Sequence, residues 1–247
     1  MEIPEEHYKK NDEGLAKLKD IHAGRRAFVI GNGPSLRISD LDRLKDEITF
    51  ASNKIWLAFD RTDWRPTYYN MCDEVVARNN KEKIMQSDFN KILAHSVRKY
   101  LWEDSQALFV NPKRSKDDQS DLVGWDLVRG TMAGHSVVNL GLKIAWYMGI
   151  REVYIIGCDH NFIVPDSKTG ERIMHNEVIV SVGERNHFHP DYRPEGETWT
   201  VPKLDTIAQE FAFAASVYEQ TGGTIKNASR FSKLDVLERV NFDDIVE

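Results

Sequence analysis

The stretch that most constrains this chain is Arg26-Ala-Phe-Val-Ile-Gly-Asn-Gly-Pro-Ser-Leu36. Ala27 to Ile30 is a short apolar run rich in β-formers, and its lack of alternation predicts a strand buried on both faces, as in a parallel sheet. Gly31-Asn32-Gly33-Pro34-Ser35 follows at once, and apolar residues at helical spacing then run from Leu36 to Leu44. Strand, glycine turn and helix form the geometry in which backbone N–H groups and a helix N-terminus face an anion. Gly31 and Gly33 can take φ > 0 and admit a ligand close to the backbone. Pro34 suits a first helical turn, and Asn32 and Ser35 add side-chain donors and acceptors. Two readings follow: a phosphate or nucleotide cradle, or an ordinary tight β–α connection.

The rest of the chain repeats the theme. Glu5 to His22 carries Leu15, Leu18 and Ile21 on one side and predicts an amphipathic helix, so residues 1–25 are read as a helical segment packed on a domain spanning 26–247. Ile48 to Ser52 is a second strand ending at Asn53, which completes a compact βαβ unit. Thr67 to Cys72 is a third, followed by Asp73-Glu74. Glu74 to His95 reads as a loose helix, Arg98 to Trp102 and Ala107 to Val110 as short strands, and Lys113 to Asp121 as a charged, solvated loop. Thr131 to Met148 is apolar almost all round and predicts a buried helix stopped by Gly149. Glu152 to Gly157 is another buried strand, running into Cys158-Asp159-His160-Asn161-Phe162. Ile163 to Thr200 shows little periodicity, and a loop of that length reads as a lid. Pro202 opens an amphipathic helix ended by Gly222-Gly223, Thr224 to Ala228 is a last strand, and Phe231 to Val246 is a tail. The fold class is α/β, a single Rossmann-like, doubly wound and mostly parallel sheet with a long lid loop in its C-terminal half.

Composition narrows the function. With 41% hydrophobic residues among 247, the chain can bury a sizeable core. A net charge of −6 argues against a nucleic-acid partner recruited by bulk electrostatics. Cys72 and Cys158 offer neither zinc spacing nor a disulfide framework, which favours a reduced, cytoplasmic setting. The N-terminus lacks an apolar signal core and no stretch approaches a membrane span, so any membrane association is expected to be peripheral. Self-association into a homo-oligomer stays open.

In a doubly wound sheet, ligands sit beyond the carboxyl ends of the strands. Gly31 to Ser35, Ser52-Asn53, Asp73-Glu74 and Asp159 to Phe162 all fall there. His187-Phe-His189-Pro-Asp191 adds the sharpest chemistry, since alternation along an extended segment would put both histidines on one side. The pair reads as a general base, as a metal site with Asp159 or Asp191, or as a polar loop with histidines bonded to backbone. Asp159-His160-Asn161 reads as a holder of ribose, base edge or metal, or as a turn cap. His135 is read as a satisfied core histidine on the long helix. Arg129, Arg185, Arg193 and Lys203 are further cations able to meet a phosphate or carboxylate.

Phe28-Val-Ile-Gly-Asn-Gly-Pro-Ser-Leu36, Ser52-Asn53, Gly130-Thr131 and Val153-Tyr-Ile-Ile-Gly-Cys-Asp159 together resemble the MptE-like domain family, from about Arg26 to Val240. That family includes archaeal 6-hydroxymethylpterin diphosphokinases and bacterial proteins associated with surface polysaccharides. The same skeleton is similar to Campylobacter-type bacterial sialyltransferases. The second likeness implies that Asn32, Ser35 and Asn53 contact a CMP-type donor, that Thr131 lies near its phosphate or nucleoside, and that His187 or His189 takes the proton of an acceptor hydroxyl. The tyrosine those transferases carry after the strand-end aspartate is replaced here by His160-Asn161-Phe162. Two activities are thus expected: glycosyl transfer from a nucleotide-activated, CMP-linked acidic sugar to a glycan or lipid-linked acceptor, with no required cofactor, or Mg²⁺-dependent pyrophosphate transfer from ATP to a pterin alcohol.

Overall fold

The computed structural model describes residues 3–112, 124–173 and 176–246. The elements are α1 (Glu5–Ala16), β1 (Arg26–Ile30), α2 (Ile38–Asp42), β2 (Ile48–Ser52), β3 (Tyr68–Met71), α3 (Glu74–Asn79), α4 (Lys81–Met85), β4 (Lys91–Ala94), α5 (Arg98–Leu101), β5 (Leu108–Val110), α6 (Val137–Tyr147), β6 (Glu152–Ile156), β7 (Lys168–Ile173), β8 (Asn176–Val180), β9 (Thr198–Thr200), α7 (Leu204–Gln220), β10 (Thr224–Asn227), β11 (Glu238–Arg239) and α8 (Phe242–Ile245).

Among the described residues, eight strands form one sheet in the order β11-β10-β6-β1-β2-β3-β4-β5, with every pairing parallel. This is the Rossmann-like architecture the apolar strands predict. The chain winds outward from β1 to β5, then returns to the opposite side of β1 as β6. The order therefore reverses between β1 and β6, the place where such sheets open a crevice. Alternate side chains feed two cores. Ala27 and Val29 join Leu140, Ile144, Phe211 and Tyr218 beneath α6 and α7. Phe28 and Ile30 join Leu41, Trp64, Leu101 and Phe242 on the other face. Burial on both faces is why these strands read as continuous apolar runs.

Several local expectations are corrected. The first helix ends at Ala16, short of His22, and the helix after the glycine turn covers only Ile38–Asp42. Glu74 to His95 is two short helices and then β4, whose Lys91 is fully buried and pairs with Asp104 at 2.8 Å. Arg98 to Leu101 is helical, not extended, with Val97 and Leu101 buried one turn apart. The long helix starts at Val137, not Thr131. Gly130 and Gly134 lie at φ of 122° and 82°, outside the helical range, and Ser136 caps the helix by accepting from the Val138 N–H at 3.3 Å. Within the expected lid loop, β7, β8 and β9 form a separate antiparallel sheet. The tail holds β11 and α8. The expected loop at Lys113 to Asp121 lies outside the described residues. Among those that are described, no helix is long and apolar enough to cross a membrane.

The first helix is part of the sheet's architecture. Asn11 in α1 accepts from the Phe109 N–H at 2.6 Å and donates to the Phe109 carbonyl at 2.9 Å. One side chain thus pairs the outer edge of β5 as a neighbouring strand would.

Candidate functional site

A cavity of about 200 Å³ opens above the carboxyl ends of β1, β2, β3 and β6. Its floor is the β1–β6 junction. Gly31 donates its N–H to the Ile156 carbonyl at 2.8 Å, and Gly33 donates to the Gly157 carbonyl at 2.8 Å. Neither glycine has a positive φ among those recorded for this backbone. A side chain is excluded for another reason: a Cβ on Gly31 would collide with the Gly157 carbonyl and lie 2.8 Å from Cys158 Sγ, and one on Gly33 would lie 2.7 Å from Asp159 Cγ. The glycines let two loops interlock.

Asp159 completes the lock. Its Oδ2 accepts from the Ser35 N–H at 2.8 Å and its Oδ1 accepts from the Ser35 hydroxyl. Burial raises the Asp159 carboxyl above its ordinary range, and the two Ser35 donors oppose that rise. The Leu36 N–H turns back to the Gly33 carbonyl at 3.0 Å. The N–H groups of Gly31, Gly33, Ser35 and Leu36 are therefore spent inside the turn. Asn32 lines the cavity, with its Nδ2 donating to the Ser52 carbonyl at 3.1 Å and its Oδ1 buried without a hydrogen bond. Asn53, at φ 52°, also lines it, and its Oδ1 is likewise unpaired.

The lid closes over this floor through three links to successive strands. The Phe188 N–H donates to the Asn32 carbonyl at 3.0 Å, beyond β1. Lys54 Nζ, beyond β2, reaches both Glu197 oxygens at 2.6 Å. Asp73, beyond β3, caps α3 through its Oδ1 and accepts from Thr200 Oγ1 at 2.9 Å through its Oδ2. The lid presents cations and aromatic rings to the cavity. Arg193 lies 3.8 Å over the Trp199 ring, its Nη1 hydrogen-bonded to no group and 3.8 Å from Glu184. The His187 ring stacks on Tyr192 at 3.8 Å and 5°. Burial, with Arg193 and Lys54 adding like charge, holds His187 well below the ordinary histidine range.

Of the residues singled out from sequence, the cavity gathers Gly31, Asn32, Gly33, Asn53, Asp159, His160, Asn161 and His187. It is not lined by Pro34, Ser35, Thr131 or His189. Ser35 acts from behind as Asp159's partner. Thr131 is buried, its N–H donating to the Asn111 carbonyl at 2.9 Å. The expected alternation of the two histidines gives way to a turn: His189 Nδ1 accepts from the Asp191 N–H at 3.2 Å and caps a short 3₁₀ turn, while His187 faces the cavity. His160 sits at φ 52°, and burial lowers its imidazole against the pull of Asp205 and Asp235.

His135 overturns its reading as a core histidine. It precedes α6 and is exposed at the cavity wall, with Nδ1 2.8 Å from Glu210 Oε1. Lys54, Tyr192 and Trp199 also belong to the assembly and went unassigned from sequence. Their signal was weak: Tyr192 and Trp199 reach the site only through the fold of the lid, and Lys54 is drawn in by Glu197 of the lid. Among the described residues, no three His, Cys, Asp or Glu side chains converge as a metal would need. The two carboxylates that line the floor, Asp73 and Asp159, are committed to the hydrogen bonds above and do not fit a magnesium site as they stand.

Comparison with known proteins adds one match. A family model described as 6-hydroxymethylpterin diphosphokinase MptE-like matches residues 5–164. The matched segment runs from α1 through the loop after β6 and ends as the lid begins. No curated protein matches the chain.

Proposed function

Taking as premise that this chain belongs to the MptE-like family, we propose that it is a transferase moving a sugar from a nucleotide-activated donor, a CMP-linked acidic sugar, to a hydroxyl of a glycan or lipid-linked acceptor. The observation that carries this reading is the two-walled cavity. Arg193 on the lid lines the cavity and supplies positive charge where a donor's phosphate or acidic sugar would lie. Asn32 and Asn53 on the floor offer amide oxygens without partners, suited to an amino group or a ribose hydroxyl. Trp199, Tyr192 and Phe162 supply flat apolar surface around them.

In this reaction the acceptor oxygen attacks the anomeric carbon as the bond to the phosphate oxygen breaks. The electron pair leaves with the nucleotide, and the acceptor proton passes to a base. A fixed lid cation, Arg193, stabilises the departing phosphate in place of a metal. Bacterial surface glycan assembly is the setting this chemistry would serve.

Pyrophosphate transfer from ATP to a pterin alcohol is the second reading, favoured by the description of the family model. It needs Mg²⁺ held by carboxylates, and Asp73 and Asp159 would have to abandon Thr200 and Ser35 to provide them.

Thermal denaturation with CMP and with ATP, each with and without Mg²⁺, separates the two. A ligand at a hundred times its Kd adds about 2.7 kcal/mol, or roughly 5–10 °C for a chain of this length. We expect CMP to raise Tm without metal. Stabilisation by ATP alone, and only with Mg²⁺, would overturn the sugar-transfer reading.

A further inference from the structure

The cavity lining holds another imidazole besides His187, that of His135, and this one has a carboxylate partner. Glu210, on α7, receives three donors from the segment that leads into α6. The His135 backbone N–H donates to its Oε2 at 2.9 Å, Asn139 Nδ2 donates to the same oxygen at 3.2 Å, and His135 Nδ1 lies 2.8 Å from Oε1. Gly134 makes room for this, since a Cβ there would come within 2.9 Å of Glu210 Oε2 and its φ is 82°. Lys143, one turn beyond Asn139, donates to the Met132 carbonyl at 2.7 Å, and its charge also acts on Glu210. The carboxylate is thus fixed from several sides. With Glu210 as acceptor, the His135 proton sits on Nδ1 and the lone pair sits on Nε2, the nitrogen left for substrate.

We propose that His135, oriented by Glu210, is the base that takes the acceptor hydroxyl proton. This rests on the transferase reading above. The arrangement is that of a histidine whose second nitrogen is held by a carboxylate, which sets the tautomer and stabilises the imidazolium formed during reaction. His187 lacks both advantages. It is sandwiched on Tyr192, and the nearest charged side chains acting on it, Arg193 and Lys54, are cations that oppose a second positive charge. In the step assigned here, Nε2 of His135 receives the proton, the acceptor oxygen forms the new bond to the anomeric carbon, and the bond to the donor phosphate breaks with its electrons going to the nucleotide. Glu210 keeps its charge throughout and is a positioning residue. His187 then serves as a neutral wall against which the donor rests.

The test has two arms on the full chain. Long-range ¹H–¹⁵N NMR of the histidine rings, with His135→Gln for assignment, reads the tautomer without any substrate. We expect His135 to carry its proton on Nδ1 and Glu210→Gln to shift it toward Nε2, because an amide offers an N–H to the ring where the carboxylate offers a lone pair. In the second arm, release of CMP from CMP-N-acetylneuraminate is followed with a sugar acceptor. His135→Gln should lower kcat by about 10²–10⁴-fold with KM little changed. Glu210→Gln should also lower kcat more than it raises KM, while Glu210→Asp recovers part of the loss. A His135→Gln variant within threefold of the parent kcat, or an Nε2–H tautomer in the unmodified chain, overturns the proposal. A parent chain that releases no CMP and is not stabilised by it overturns the transferase reading itself, and this inference with it, whereas CMP stabilisation with unchanged His135→Gln turnover overturns the inference alone.

Discussion

The two walls of the cavity are built by different means. The floor at β1 and β6 is held by main-chain hydrogen bonds and by backbones so close that only glycine fits. The lid is held by a few side chains, Lys54 to Glu197 and Thr200 to Asp73, with one main-chain bond from Phe188 to Asn32. The floor also lies within the family match and the lid beyond it. A floor of this kind cannot be altered piecemeal. A lid of this kind can be exchanged or released while the sheet stands, and it brings His187, Arg193 and Trp199 to the cavity.

The sharpest way to break the contrast is at Gly33 or Gly31. Alanine at either position forces backbone against backbone, and we expect a loss of about 3 kcal/mol or more, seen as a lower Tm and a lower denaturant midpoint. An alanine tolerated within 1 kcal/mol would show the junction to be looser than the hydrogen bonds imply. Lys54→Met comes next. Both partners of the Lys54–Glu197 pair are largely buried, at 10% and 18% side-chain exposure, so the orphaned carboxylate should cost about 2–3 kcal/mol. The cost should fall on the lid. Hydrogen exchange across residues 176–200 should quicken about thirty-fold while β1 and β6 stay protected.

Acidification probes the same wall. The folded-state value of His187 lies below its unfolded one, so the unfolded chain binds the proton first as pH falls. The contribution of His187 is complete above pH 6.5 or so and declines below it, by at most about 1.4 kcal/mol per pH unit. His187→Gln should flatten the fall in Tm between pH 7 and pH 5. Some slope will persist, because burial also lowers His22, His95 and His160. The smallest effect is expected from Thr200→Val, which removes one lid hydrogen bond worth about 1 kcal/mol and should speed exchange in β9 but not β8.

The same contrast decides what could be read in advance. The floor was legible because its determinants are local: an apolar run, a glycine turn and a strand-end aspartate each declare themselves within a few residues. The parallel sheet followed from the same runs. The lid was legible only as a region. β8 and β9 are short, and their pairing depends on contacts with the main sheet that no window of sequence contains. Thr131 was misplaced because apolar residues continue N-terminal to Ser136, and periodicity outweighed the breaks at Gly130 and Gly134. His135 was misjudged for the same cause. Its partner lies 75 positions away on α7. His187 and His189 were expected on one side because alternation assumes an extended chain, and the chain bends at residues 187–189.

Asn11 carries a consequence for how this chain behaves in company. A parallel sheet ends in a row of unpaired main-chain groups, an invitation to other strands, and here a single amide fills the gap at Phe109. Asn11→Leu should strand the buried Phe109 N–H and carbonyl, lowering Tm, and loosen α1 so that the β5 edge is offered to strands of neighbouring molecules. A chain trimmed to begin at Arg26 would go further, losing α1 altogether. What looks like a peripheral helix is thus a guard on solubility, and its worth would show in light scattering as well as in a melting curve.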